Sequence, residues 1–157
     1  MQTKNLSLFF IFLIINVTQT YAQVKPTKIN TKNQERYITT TIGYPIAGLY
    51  FYFNQTEPTT QLNDNGSGIM QNEDLSKESI IWGIECSQSG IPILKEGFDS
   101  AAYSFWYKKE NLSHLESEDK EEWIYQSFTI HFNKQKMFIS GNRVKEYIEP
   151  ELKKQKM

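Results

Sequence analysis

Cysteine is nearly absent from the 157 residues: Cys86 stands alone, so the chain has no internal disulfide to form. Its stability must come from core burial, which a domain of this size can supply. Histidine is scarce as well, with only His114 and His131. A zinc site usually needs about three or four ligands in recognisable spacing, and neither His-x-x-x-His nor Cys-x-x-Cys occurs. There is no excess of basic charge: 17 Lys+Arg against 18 Asp+Glu give a net charge of −1, which removes the electrostatic reason to expect nucleic acid. Gly 8 and Pro 5 are too few for a low-complexity or collagen-like chain. The longest apolar run, residues 6–17, is about a dozen residues against the ~20 that a spanning helix needs. Neither Gly-x-Ser-x-Gly nor a phosphate-cradling Gly loop is present.

That apolar run follows Lys4 and precedes the small-residue site Thr20-Tyr21-Ala22. This is the pattern of a secretory signal peptide, with cleavage expected after Ala22 and no membrane span afterwards. Cys86 lies far from that site, so no lipid anchor is expected and the product is periplasmic or secreted. The Asn-, Lys- and Ile-rich composition reads as a bacterial export substrate. Residues 23–42 are polar without apolar periodicity and read as a flexible leader. Residues 43–147 form the domain, and 148–157 a charged tail.

Within the domain, short apolar runs alternate with turn residues, and 14% of the chain is aromatic. Aromatic and β-branched residues fit a half-buried pleated surface. Eight strands are predicted, at 46–54, 59–62, 67–71, 80–86, 91–95, 101–108, 122–132 and 136–145. Asn65-Gly66 is a hairpin signal, because both residues tolerate positive φ. Successive strands with short turns predict an all-β fold, a single antiparallel up-and-down barrel.

Four stretches carry a family resemblance: Gly48-Leu49-Tyr50, Leu62-Asn63-Asp64-Asn65-Gly66-Ser67-Gly68, Ile81-Trp82-Gly83-Ile84, and the strand from Met137 to Arg143. The chain resembles the lipocalin-like (calycin) secreted bacterial proteins, with Tyr50 where the lipocalin Gly-x-Trp has tryptophan. The resemblance implies a ligand-binding barrel. It also implies that a basic side chain of the last strand, Arg143, lies over Tyr50 as a cation–π pair and plugs the closed end.

No catalytic residues, metal ligands or cofactor are expected, and an enzyme is the least favoured reading. His131 falls on the outer face of its strand. The acidic run Glu116-Ser117-Glu118-Asp119 lacks the spacing and central Gly of a calcium loop. Cys86 reads as a small core hydrophobe beside Ile84, with a reactive thiol as the alternative. Tyr50, Tyr52, Trp82, Tyr103 and Phe105, with Tyr107, either line a ligand cavity or fill the core. Two functions follow. One is a small-ligand-binding module holding an apolar molecule in or at the mouth of the barrel. The other is a filled barrel that docks on an envelope protein through an outer stripe of Leu49, Phe51 and Phe53, extended by Trp106 and Trp123.

Overall fold

A computed structural model describes residues 25–32, 34–110 and 122–147. The expected signal peptide, the acidic run, His114 and the charged tail lie outside these residues. Eleven strands follow one another: β1 (Thr27–Asn30), β2 (Glu35–Thr39), β3 (Gly48–Tyr52), β4 (Pro58–Leu62), β5 (Ser67–Gln71), β6 (Lys77–Cys86), β7 (Leu94–Glu96), β8 (Ser100–Lys109), β9 (Ile124–His131), β10 (Lys136–Ile139) and β11 (Arg143–Glu146).

All pairings are antiparallel, in the order β1-β2-β6-β5-β4-β3-β11-β10-β9-β8-β7. β6 also pairs with β8, from Ile80↔Lys109 to Ile84↔Phe105. That pairing closes β3 to β6 and β8 to β11 into an eight-stranded up-and-down barrel. Closure gives every wall strand a partner on both sides, so none is a free edge. Two of the eight expected strands differ. The 91–95 run is not a wall strand: Pro92 bridges Cys86 and β7 pairs with Tyr103–Ala101, filling the gap where β6 and β8 part. The 136–145 run is two wall strands, folded back at Ser140 (φ 51) and Gly141 (φ 73).

Period-two alternation places one face of each strand inside. Ile80, Trp82 and Ile84 of β6, Tyr103, Phe105 and Tyr107 of β8, Phe128 and Ile130 of β9, and Met137 and Ile139 of β10 form one buried cluster. Cys86 extends the inner row of β6 and is 3% exposed, so it is a core residue.

The expected flexible leader is instead a hairpin. β1 and β2 pair, and β2 joins the end of β6 through Tyr37↔Cys86 and Thr39↔Ile84. Ile29, Ile38 and Trp106 make a second small core outside the barrel wall, with Trp123 against it. Arg36 lies over the Trp106 ring, 5.0 Å from its centroid, and pairs with Glu85, which also accepts from Trp106 Nε1 at 3.1 Å. Gly83 permits this docking: a Cβ there would stand 2.8 Å from Ile38 Cβ. Trp106 is therefore covered by the chain's own hairpin and Trp123 partly so, which takes Trp106 out of the expected docking stripe.

Candidate functional site at the Arg143 end of the barrel

The two ends of the barrel differ in chemistry. At the Gly48 end, residues 40–47 cross the barrel. Ile42, Tyr44 and Ile46 pack on the core, and the Tyr44 ring lies 5.8 Å from both Phe132 and Tyr147. Lys145 donates to Pro45 O and Ala47 O there. The basic residue that ties this end is thus Lys145, and the expected stacking of Arg143 on Tyr50 does not occur. Tyr50 is fully buried, with its hydroxyl donating to Ile46 O at 2.6 Å.

Arg143 lies at the opposite end. β11 runs antiparallel to β3 with Arg143 opposite Tyr52, so inward alternation turns the guanidinium into the barrel. It sits 5.4 Å from the Tyr52 ring centroid. Its Nη2 donates to Gln71 O on β5 at 2.9 Å and to Tyr52 Oη at 3.3 Å. The side chain therefore reaches from β11 across β3 and β4. The residue is only 8% exposed, and its buried Nε has no partner.

Other polar groups gather at this end. Lys109 pairs with Glu78 at 2.5 Å and donates to Asn72 Oδ1 at 3.3 Å. The Lys109 ammonium holds the Glu78 carboxyl below its ordinary range, against the opposing effect of burial. Burial pushes the Tyr107 hydroxyl up, against the smaller opposing pull of Lys109 and Arg143. Gln126 shares the inward parity of Phe128, and its buried Oε1 lacks a partner. So does Thr60 Oγ1, on the inner row of β4 between Tyr50 and Met70. Leaving a buried polar group unsatisfied costs about 1–3 kcal/mol, and more when the group is charged. Most buried polar groups are paired, so these three call for an explanation.

The aromatic residues singled out from the sequence divide between core and end. Tyr50, Trp82, Tyr103 and Phe105 belong to the core cluster. The Trp82 and Phe105 rings stack at 5.9 Å, and Phe105 and Tyr107 meet at 6.0 Å. Tyr103 meets Phe128 at 6.2 Å and the Tyr50 hydroxyl lies against Ile46 O and Met137, so these four are core side chains. Trp82 also donates from Nε1 to Ser67 O at 2.8 Å, pinning the β4–β5 hairpin. Tyr52 stands with Tyr107 at the Arg143 end, beside a guanidinium whose Nε is unpartnered. Gln71, Glu78, Lys109 and Gln126 were not singled out. Each reads as an ordinary polar residue at a strand end, and only barrel closure brings them together.

A second feature lies on the outer wall. Leu49, Phe51 and Phe53 line a groove of about 550 Å³ with Val144 and the Lys136–Glu146 ion pair. Leu49 is 43% and Phe53 75% exposed. His131 also faces outward, with its ring edge-on to Phe138 at 5.2 Å. Among the described residues, no group of three or more His, Cys, Asp or Glu is placed to hold a metal ion.

Compared with protein-family models, curated proteins and solved structures, the chain matches none.

Proposed function

We propose that this protein is an exported, non-enzymatic binding module that holds a small ligand at the Arg143 end of its barrel. One observation carries the reading. A largely buried guanidinium has an unpartnered Nε, at the end of the barrel where Lys109, Gln126 and Tyr107 also face inward. Burying a charge costs several kcal/mol unless it is paired and hydrogen-bonded. A site that binds a polar ligand carries that cost when empty and recovers it when filled. The burial of Tyr50, Trp82, Tyr103 and Phe105 in the core cluster favours this end of the barrel over its centre, and the polar groups here favour a polar ligand over an apolar one. Up-and-down closure and the Gly48-Leu49-Tyr50 strand support the lipocalin-like kinship on which export and ligand carriage rest. The test is native mass spectrometry of the protein purified from its own envelope fraction. The expected result is a small molecule that leaves on denaturation and is absent from an Arg143→Gln variant. A clean apo mass for the native protein would sink the reading.

The outer groove favours a second reading, a module that docks on an envelope protein. Phe53, at 75% exposure, is its observation. Cross-linking in place, followed by loss of the cross-link in Phe53→Glu, is the result this reading expects.

A further inference from the structure

We infer that the ligand held at the Arg143 end is a small organic acid carrying one negative charge, its carboxylate accepting a hydrogen bond from Arg143 Nε. The inference rests on the small-ligand reading above and narrows it to a chemical class. Charge balance carries the argument. Lys109 and Glu78 neutralise one another in a 2.5 Å pair. Arg143 has no carboxylate partner: its described contacts are Gln71 O, the Tyr52 hydroxyl and the Tyr52 ring. Asp74, in the exposed turn after β5, acts on Lys109 and Glu78, and among the described residues no carboxylate meets the Arg143 guanidinium, which keeps its positive charge. A monoanion neutralises it, whereas a phosphate dianion would leave a buried negative charge in its place.

The donor geometry agrees. Nη2 is occupied by the two contacts that fix the guanidinium in place, so the group is pre-oriented and little further ordering is needed on binding. The Nε edge is buried without a partner, and a charge-assisted N–H···O bond to a carboxylate is among the strongest a side chain makes. Tyr52 and Tyr107 supply ring surface for the organic part of the acid. Gln126 Oε1 and Thr60 Oγ1 offer neutral polar partners beyond it.

The test uses propionate and benzoate as probes that bracket a size range, with benzyl alcohol and inorganic phosphate as controls. Binding is followed by calorimetric titration and by the rise in melting temperature. At least one carboxylate is expected to bind saturably and raise Tm, with benzyl alcohol and phosphate much weaker. Arg143→Gln is expected to lose about ten- to a hundredfold in affinity, the worth of one hydrogen bond to a charged group. Where Arg143→Gln does not fold, Arg143→Lys serves, because it keeps the charge but lacks the Nε edge, and a tenfold or greater loss is again expected. Phosphate binding in place of both carboxylates would overturn the acid class and leave the small-ligand reading standing. So would equal carboxylate binding by the wild type and the folded Arg143 variant. Failure of every probe, together with a clean apo mass for the native protein, would remove both.

Discussion

Leu75 occupies the backbone position that Gly66 holds in the preceding turn. The two turns share their hydrogen bonds: Asn63 Nδ2 donates to Ser67 Oγ and Asn72 Nδ2 to Ser76 Oγ, both at 2.9 Å. Ser67 N and Ser76 N donate to Asn65 Oδ1 and Asp74 Oδ1, both at 3.0 Å. Gly66 has φ +85° and Leu75 +69°, a region that L side chains enter at about 1–2 kcal/mol. Leu75 is 74% exposed, so it gains little burial in return. Leu75→Gly is expected to raise stability by about 0.5–1 kcal/mol, after the entropy glycine adds to the unfolded chain, as measured by urea unfolding. Asn63-x-Asn65-x-Ser67 and Asn72-x-Asp74-x-Ser76 repeat one pattern in the sequence, but only the first carries the Asn-Gly signal, because a leucine stands where the second turn would have glycine. Tyr50 gives a second expectation at this scale. Burial pushes its hydroxyl well above the ordinary value, and burial also raises Tyr103, Tyr107 and Cys86. The unfolded chain releases these protons first, so their contribution is complete below the ordinary thiol and phenol pKa values. It is lost as pH rises through and beyond them. Unfolding midpoints should fall above about pH 9–10, less steeply in Tyr50→Phe. At neutral pH Tyr50→Phe should cost about 1 kcal/mol, for the lost bond to Ile46 O.

The β1–β2 hairpin shows what an element needs in order to be visible in a sequence. Lys28 and Glu35 form an exposed ion pair across it, and Lys32 reaches Glu122. Its inward contribution is Ile29, Ile38 and the Arg36 guanidinium on Trp106, too few apolar positions to produce an alternation. The hairpin is held by what it meets, so polarity read as a mobile leader. Gly83→Val would drive side-chain atoms into Ile38, an overpacking worth about 1–3 kcal/mol. Hydrogen exchange is the measurement. Residues 27–39 should lose protection and Trp106 fluorescence should change, while β9 and β10 keep their protection. The strands that alternate cleanly, β6, β8 and β9, were legible because one face is core and the turns between them are polar. The fold-back at Ser140-Gly141 was missed, since a two-residue turn between apolar runs leaves the run unbroken.

At the scale of the molecule, up-and-down closure followed from strand order and turn length, which the sequence carries. The polar cluster did not, because Arg143, Gln71, Glu78, Lys109 and Gln126 come from five strands and share no local pattern. Closure is uneven. β8 and β9 pair continuously from Ser100↔His131 to Tyr107↔Ile124, whereas β3 and β11 meet only at Arg143↔Tyr52 and Val144↔Phe51. Amide exchange within the wall should therefore be fastest along β3 and β11 and slowest along β8 and β9. Binding at Arg143, beside that seam, should slow exchange there more than anywhere else in the barrel.

The seam also fixes how the barrel responds to tension. β3 begins and β11 ends on the same side of the molecule, so a pull between residues 48 and 146 loads their shared bonds one after another, as a zipper is loaded, rather than together in shear. The wall would open first at its weakest join, where Lys145, donating to Pro45 O and Ala47 O, ties the two strands beside the loaded ends. Anything that grips Arg143 grips the last bonds of that zipper, and a filled site would then be the catch that keeps the barrel shut under load.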